Sequence, residues 1–401
     1  SPFFLAGKKA YEIERSLRFS YGDAANLTRT SSSASTTFTY SAWIKRSRIS
    51  EYQSIFSMGV QAFTFHANYH TLILYDGSTL HQSTAVFRDP SAWYHIVVQI
   101  NSGVATSYVN NVLVHNAVGS GFTLTTGTNE TRVGSQVNTY YFNGYQAEIN
   151  FVDGSVLAPS SFAETDAITG QWNPKRYGGS YGTNGFYLNF SNTSSLGADS
   201  SGNSNNFTPN NFSTSAGAGN DSLTDTPTNN FCTLSQLLTD TRSDSSFSQG
   251  NLTVTTGSGA STVGTTFAQT TGKWYAEFVC TAKSSTNMMI GVNSVEGFDG
   301  ERQGNESQNG GVGYGYINNG NNALPDGSNN SYGATWAIND VMGIALDLDN
   351  NTVNFYKNNA AQGTISISDG YNYVMTCGHG QGGVTATFDV NFGQRAFSYT
   401  P

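Results

Sequence analysis

Apolar and polar positions alternate with a period of two along most of this chain. Phe38, Tyr40, Ala42 and Ile44 alternate with Thr39, Ser41 and Trp43, and Trp274, Ala276, Phe278 and Cys280 alternate with Tyr275, Glu277 and Val279. That spacing sends successive side chains to opposite faces and predicts half-buried β-strands. Hairpins are legible in the same way. Tyr108-Val109, Asn110-Asn111 and Val112-Leu113-Val114 set two residues that tolerate left-handed backbone between β-branched runs, the mark of a two-residue turn. Leu346-Asp347-Leu348, Asp349-Asn350-Asn351 and Val353-Asn354-Phe355-Tyr356 repeat the logic. Sustained helical periodicity is absent, and the best place for a short helix is residues 234 to 239. The pattern predicts an all-β chain, two antiparallel β-sandwich domains in tandem.

The boundary shows as a change of composition. After the strand-like run Gly185-Phe186-Tyr187-Leu188-Asn189-Phe190, residues 191 to 230 run through Ser, Asn, Gly, Asp and Thr with only Leu196, Phe207, Phe212 and Leu223 as apolar anchors. Such a stretch buries too little surface to hold a fold of its own. The expected organisation is an N-terminal arm at 1–15, a first sandwich at 16–190, an Asn/Ser/Gly-rich connector at 191–245 that lies across both domains, and a second sandwich at 246–401.

Composition sharpens this reading. The chain has 401 residues with 18 Lys+Arg and 27 Asp+Glu, so only 11% are charged, against roughly 25% in a typical soluble domain. The apolar fraction is 37% and mean hydropathy −0.34, so neutral polar residues and 44 glycines do the solubilising. An aromatic content of 13% excludes disorder and suffices for more than one core. The longest apolar runs, residues 94 to 100 and 341 to 348, are strand-sized and far short of a membrane-spanning helix. The apolar stretch at Phe3-Phe4-Leu5-Ala6 is too short for a signal peptide, and Lys8 and Lys9 follow it where a signal would have them first. The last residues, Ser398-Tyr399-Thr400-Pro401, are expected to lead into further chain.

The net charge of −9 argues against a nucleic-acid groove. Basic residues nevertheless gather at the start, where Lys8, Lys9, Arg15, Arg18, Arg29, Lys45, Arg46 and Arg48 face three acids. Two readings stand: scattered surface charge, or a basic arm that docks on an acidic partner subunit. Cys232, Cys280 and Cys377 are odd in number and lack metal-ligand spacing, which fits assembly in a reducing compartment.

Two sets of residues carry a family resemblance. The opening strand Ser16-Leu17-Arg18-Phe19, the Trp43 strand, Trp93-Tyr94-His95-Ile96-Val97-Val98 with its Asn110-Asn111 hairpin, and Phe142-Asn143-Gly144-Tyr145 leading through Glu148 to Phe151-Val152-Asp153-Gly154 together resemble the laminin G-like, concanavalin A-type lectin/glucanase superfamily. Residues 246 to 399 resemble a SPRY domain. The carriers are Gly272-Lys273-Trp274-Tyr275-Ala276-Glu277-Phe278, Ile290-Gly291-Val292, Gly313-Tyr314-Gly315-Tyr316, Asn339-Asp340-Val341 and Asn354-Phe355-Tyr356-Lys357-Asn358-Asn359. The resemblance implies a concanavalin A-like jelly roll followed by a SPRY-like sandwich. Asn339 and Asn359 stand where that family usually has Gly, a change that left-handed backbone tolerates. With the connector and the terminal Asn391-Phe392-Gly393-Gln394-Arg395-Ala396-Phe397, the pair is similar to virion proteins of marine bacteriophages that join these two folds.

Candidate chemistry is sparse. The glucanase branch of the first fold works with Glu-x-Asp-x-x-Glu on one strand; here the series reads Glu148, Asn150, Asp153, so the middle carboxylate is missing and the last acid is a methylene shorter. No catalytic residue is expected. His66 and His70 have the spacing of a zinc protease, but that chemistry needs a helix and a Glu after the first His. Asp347, Asp349 and Asn351 begin like a calcium loop that lacks its later Gly and Glu. No metal ligand is assigned; a Ca²⁺ at a loop rim, around Asp76, Asp153 or Asp199, is the one cofactor left open.

What remains is surface recognition. Sugar sites combine an aromatic plate with Asn, Asp and Gly groups that bond hydroxyls. Loop-like stretches of that kind nominate Tyr140, Tyr141, Trp172, Tyr177, Asp299, Arg302, Tyr332 and Trp336. The expected function is a non-enzymatic bacteriophage virion protein, a tail fibre, spike or surface appendage, assembled in the host cytoplasm and homo-oligomeric. Its partners would be other virion subunits, reached through the basic N-terminal segment, and a host cell-surface glycan, with no nucleic acid and no membrane insertion. A capsid decoration subunit without a cell-surface ligand is the alternative, and a glycan hydrolase acting through Glu148 the third.

Overall fold

The computed structural model describes residues 11–126, 130–239, 244–284, 287–298, 310–380 and 383–399. Among these residues there is no α-helix, only two single 3-10 turns at Pro159–Ser161 and Gln249–Asn251. No helix among them is long and apolar enough to cross a membrane. The chain divides into two compact units, residues 1–214 with 221–230 and residues 215–220 with 231–401.

In the first unit, an eight-stranded antiparallel sheet runs Val112–Val118, Val104–Val109, Trp93–Asn101, Phe38–Arg46, Gly144–Asp153, Ser16–Phe19 and Ser222–Leu223, with Phe186–Leu188 also on Gly144–Asp153. A seven-stranded sheet runs Thr208–Asn210, Asn26–Arg29, Thr131–Val133, Gln53–Met58, Gln61–Phe65, Thr71–Tyr75 and Leu80–Val86. The period-two pattern explains the packing: Phe38, Tyr40, Ala42 and Ile44 all point between the sheets and are fully buried. There Tyr40 stacks on Phe56 at 4.6 Å, and Phe38 and Phe186 each stack on Phe151.

The second unit pairs a six-stranded sheet, Leu234–Thr239, Ser261–Thr265, Tyr373–His379, Met288–Ser294, Gly313–Ile317 and Asn322–Ala323, with a seven-stranded one. The latter runs Ser246–Ser248, Thr253–Thr255, Ala386–Asn391, Lys273–Lys283, Val341–Asp347, Thr352–Lys357 and Ala360–Ser366. The turns behave as their residues require. Asn110 and Asn111 both adopt positive φ, 48° and 66°, with Val109 opposite Val112, and Asn339 and Asn359 take φ of 68° and 71°.

One element corrects the sequence reading. Residues 234 to 239, expected as a short helix, form the edge strand Leu234–Thr239 paired to Ser261–Thr265. Six residues are too few for helix propensity to hold against a free sheet edge that satisfies the same backbone groups.

The stretch 191–245, expected as a connector, is divided between the units. Thr208–Asn210 adds a strand beside Asn26–Arg29, and Ser222–Leu223 one beside Ser16–Phe19. Phe207 packs edge-on against Phe186 at 4.7 Å and Phe212 against Phe19 at 5.2 Å. Strand Leu234–Thr239 then belongs to the second unit. A segment this polar needs no core of its own when its few aromatics enter an existing one. Its Asn and Asp side chains cap backbone groups, as Asp199 does by accepting the N–H of Tyr187, Ser201 and Asn205.

Three basic residues of the first 48 are drawn inward. Lys45 meets Asp225 at 2.8 Å with both side chains 1% exposed, and Arg18 meets Asp221 at 2.9 Å. Arg46 is fully buried. These three contribute no surface charge. Arg15 and Arg29 bond the Ser222 and Asn184 carbonyls, and Lys8 and Lys9 lie outside the described residues.

Candidate functional site

Two surfaces of the first unit hold side chains beyond what packing needs. The first is the face of the eight-stranded sheet turned away from the core. A bulge between Ala147 and Asn150 puts Glu148 in left-handed backbone, φ 50°, and turns its carboxylate toward Tyr187 on the neighbouring strand. The Tyr187 hydroxyl donates to Glu148 Oε1 at 2.5 Å, and Tyr11 Oη lies 3.0 Å from Tyr187 Oη. Arg176 sits 4.2 Å above the Tyr187 ring. Tyr181 donates to Asn150 Oδ1, and Asn150 Nδ2 donates back to the Glu148 carbonyl. Further along the face the His95 ring lies against Trp43 at 4.8 Å, accepts the Trp172 indole N–H at Nδ1 and bonds Ser41 Oγ through Nε2. Burial pulls the His95 imidazole down to about 3, so it stays neutral.

This face is covered by the chain itself. Segments at 11 to 14, 164 to 176 and 227 to 228 line a cleft of about 1060 Å³ there, among them Tyr11, Glu12, Glu164, Asp166, Lys175 and Arg176. Glu148, 4% exposed, sits beneath this cover. Of its neighbours on the motif, Asn150 is neutral, and Asp153 Oδ2 accepts the backbone and side-chain N–H groups of Asn184. The Glu-x-Asp-x-x-Glu series of the glucanase branch is thus not reproduced at Glu148, Asn150 and Asp153.

Burial raises the Glu148 carboxyl above the usual carboxylate range, against the lowering effect of its Tyr187 and Tyr11 hydrogen bonds and of Arg176. The native state therefore holds this proton more tightly than the unfolded chain. The resulting stability is fully present below the unfolded value, about 4.3, and is lost as pH rises through the raised native value. Glu148→Gln keeps an acceptor for Tyr187 without the charge. We expect the variant to melt above the wild type at pH 7 to 8, with the gap closing below about pH 4; a wild type as stable as the variant at pH 8 would contradict this.

The second surface is the end of the same sandwich from which the loops at 47–52, 66–70 and 138–143 emerge. Four rings form a row there. Tyr140 lies 5.5 Å from Tyr52, Tyr52 4.7 Å from His66, and His66 4.5 Å from Tyr69. The end members are open, Tyr140 at 47% and Tyr69 at 62% exposure. Backbone geometry fixes the row: Tyr140 has φ 48° and its carbonyl accepts Ser54 N–H, while His70 N–H closes the 66–70 turn on the His66 carbonyl. His66 Nδ1 accepts the N–H groups of Asn68 and Tyr69, so the other nitrogen carries the proton and donates to Tyr52 Oη at 2.9 Å. Beside the row, Tyr141 meets Tyr21 edge-on, and Arg48 stands over Tyr21 while pairing with Glu51. Asn68 and Asn138 flank it as exposed amides.

Of the residues nominated from the sequence, Tyr140 and Tyr141 fall on this surface. Trp172 and Tyr177 do not: the first is bound to His95, and the second packs on Phe162 and Tyr181 and donates to the Ser180 carbonyl. In the second unit Tyr332 packs on Tyr316 and Phe355 and bonds the Gly363 carbonyl, and Trp336 is 3% exposed against Tyr316. Trp336 is buried, whereas Trp172, Tyr177 and Tyr332 are half-buried and held by these contacts. Asp299 and Arg302 lie outside the described residues. Tyr52, His66 and Tyr69 were not nominated, although Asn68-Tyr69 at the tip of a polar turn carried the signal.

No cluster of three or more metal-ligating side chains occurs among the described residues. The acids around which a Ca²⁺ was left open make hydrogen bonds within the protein. Asp76 accepts Ser78 and Thr79 N–H and His81 Nε2, Asp153 is held by Asn184, and Asp199 by the backbone groups named above. His66 and His70 flank a turn between two strands. Asp347 pairs with Lys273 at the mouth of its hairpin.

Comparison with known proteins fits this architecture. Residues 19–160 match the family model of the concanavalin A-like lectin/glucanases superfamily, and residues 273–393 match that of the SPRY domain. A search of curated protein sequences finds no match. Among solved structures, the SPRY domain of human HERC1 aligns at 14% identity and TM-score 0.33, over 41% of this chain and 99% of that one. A Bacteroides ovatus protein assigned to carbohydrate binding aligns at 16% identity and TM-score 0.38, over 50% of this chain and 59% of its own. A pentraxin from Limulus polyphemus aligns at 15% identity and TM-score 0.32, over 42% of this chain and 95% of that one.

Proposed function

We propose that this chain, a concanavalin A-like domain and a SPRY domain in tandem, is a non-enzymatic bacteriophage virion structural protein that attaches to a host-surface glycan. The observation that carries the glycan reading is the row Tyr140, Tyr52, His66 and Tyr69, rings held in fixed order with exposed ends and flanking amides. Aromatic faces of this kind stack on the apolar face of a pyranose, while amides and the Arg48–Glu51 pair bond its hydroxyls. The virion reading rests on the resemblance of the domain pair and its linking segment to phage virion proteins, and it places the chain in a tail fibre, spike or surface appendage. Three free cysteines accord with assembly in a reducing cytoplasm. Attachment to a neighbouring subunit would fall to the start of the chain around Lys8 and Lys9, since Arg18, Lys45 and Arg46 are buried.

Saturable binding of the full chain to susceptible host cells, competed by the host's surface polysaccharide, is the expected result. No binding under saturating conditions would favour a decoration subunit, and absence of the chain from purified particles by mass spectrometry would remove the virion reading altogether.

A further inference from the structure

We infer that the guanidinium of Arg46 binds a small monovalent anion such as chloride inside the end of the first sandwich. Arg46 closes strand Phe38–Arg46, and strand alternation sends its side chain to the same face as Tyr40, Ala42 and Ile44, between the two sheets. It is fully buried there. One nitrogen donates to the Phe87 carbonyl at 2.5 Å, and the guanidinium lies 4.3 Å from the centre of the Phe65 ring. Nε and Nη2 have no hydrogen-bond partner, and no carboxylate among the described residues pairs with the group.

The contrast with its neighbours is informative. Arg18 and Lys45, buried on the other face of the same sheet, each meet an aspartate. Arg46 meets none, and of the titratable groups only the Tyr94 phenol bears on it appreciably. Burial lowers the guanidinium to about 9, which still leaves it cationic at neutral pH. His70, whose Nδ1 is likewise buried without a partner, accepts Phe87 N–H at its carbonyl; burial and the Arg46 charge hold its imidazole below the usual range, so it is neutral beside the guanidinium. A buried charge is costly unless paired, and two guanidinium nitrogens left without an acceptor favour an anion. Full burial of the group limits the occupant to a small ion.

The test uses the full chain. In crystals grown with bromide we expect an anomalous peak within hydrogen-bond reach of Arg46 Nε and Nη2. In solution we expect the chlorine NMR line broadened by the wild type to lose at least half of that excess width in Arg46→Met, with an unchanged circular dichroism spectrum. Thermal unfolding should shift up by roughly 3–6 °C when chloride, replacing gluconate at constant ionic strength, stands about tenfold above its Kd. A water alone at this place, bridging Arg46 to the unpaired Oε1 of Gln53 across from Phe65, would overturn the inference. Should Arg46→Met fail to fold, the bromide map of the wild type decides.

Discussion

Replacing Asp225 by alanine is expected to lower the stability of the first unit by about 3–5 kcal/mol, because it leaves a buried ammonium without a counter-charge. Lys45 Nζ lies 2.8 Å from Asp225 Oδ2 and 2.8 Å from Asn230 Oδ1, and Asp225 Oδ1 accepts the Trp93 indole N–H at 3.2 Å. Both side chains are 1% exposed, so solvent does not screen the loss. The same pair ties the segment around residue 225 to the outer face of the sheet, where the Thr226–Asn229 turn follows and Thr228 bonds Ile13. Urea unfolding of the full chain, followed through Trp93 fluorescence, measures the change. The double variant Lys45→Met with Asp225→Leu should recover most of the loss, since apolar residues of similar volume replace a buried pair at little cost. A single-variant loss below about 1 kcal/mol, the range of exposed pairs, would contradict a buried clamp.

Tyr52→Ala is expected to weaken glycan binding by about 30-fold, the effect of removing a hot spot worth about 2 kcal/mol. Tyr52 is the ring that touches both Tyr140 and His66, so its loss breaks the row in the middle and frees Tyr140 from its support. Tyr52→Phe keeps the plate and removes only the bond to His66 Nε2, so it should cost no more than a few-fold. Tyr177→Phe, which loses only the bond to the Ser180 carbonyl within the cover of the sheet, should leave affinity unchanged. Equal losses in Tyr52→Ala and Tyr177→Phe would mean that general destabilisation, rather than a binding row, sets the affinity.

Fold was legible where local chemistry and tertiary context agree. The Phe38–Arg46 alternation and the Asn110-Asn111 turn each follow from residue type alone, and the left-handed Asn339 and Asn359 from their standing where the resembled family has Gly. Strand Leu234–Thr239 was not legible as a strand, because its leucines fit either period and only the free edge of Ser261–Thr265 decides. Composition set the stretch 191–230 apart, yet Phe207 and Phe212 reach a core built by residues far away in sequence. The concentration of positive charge at the start of the chain was visible as well. Its use was not, since the partners of Arg18 and Lys45 lie more than 170 positions further on.

The candidate site divides along the same line. Tyr140 and Tyr141 could be nominated because aromatic residues stood next to Asn and Thr in a turn. Tyr52, His66 and Tyr69 become part of one surface only when three separate loops meet at one end of the sandwich. Trp172 and Trp336 carried the same local signal but are packed, and no local pattern tells a plate from a core ring. Glu148 stood out by motif, but its cover by residues 11 to 14 and its Tyr187 and Tyr11 partners come from segments on either side of it in sequence.

The most direct measurement is a crystal structure of the full chain with an oligosaccharide from the host's surface polysaccharide. The account predicts a pyranose ring lying against Tyr140, Tyr52 and Tyr69, with hydroxyls bonded by Asn68, Asn138 or the Arg48–Glu51 pair. A sugar seated instead in the cleft between Tyr11, Glu164 and Arg176, with the row empty, would contradict it.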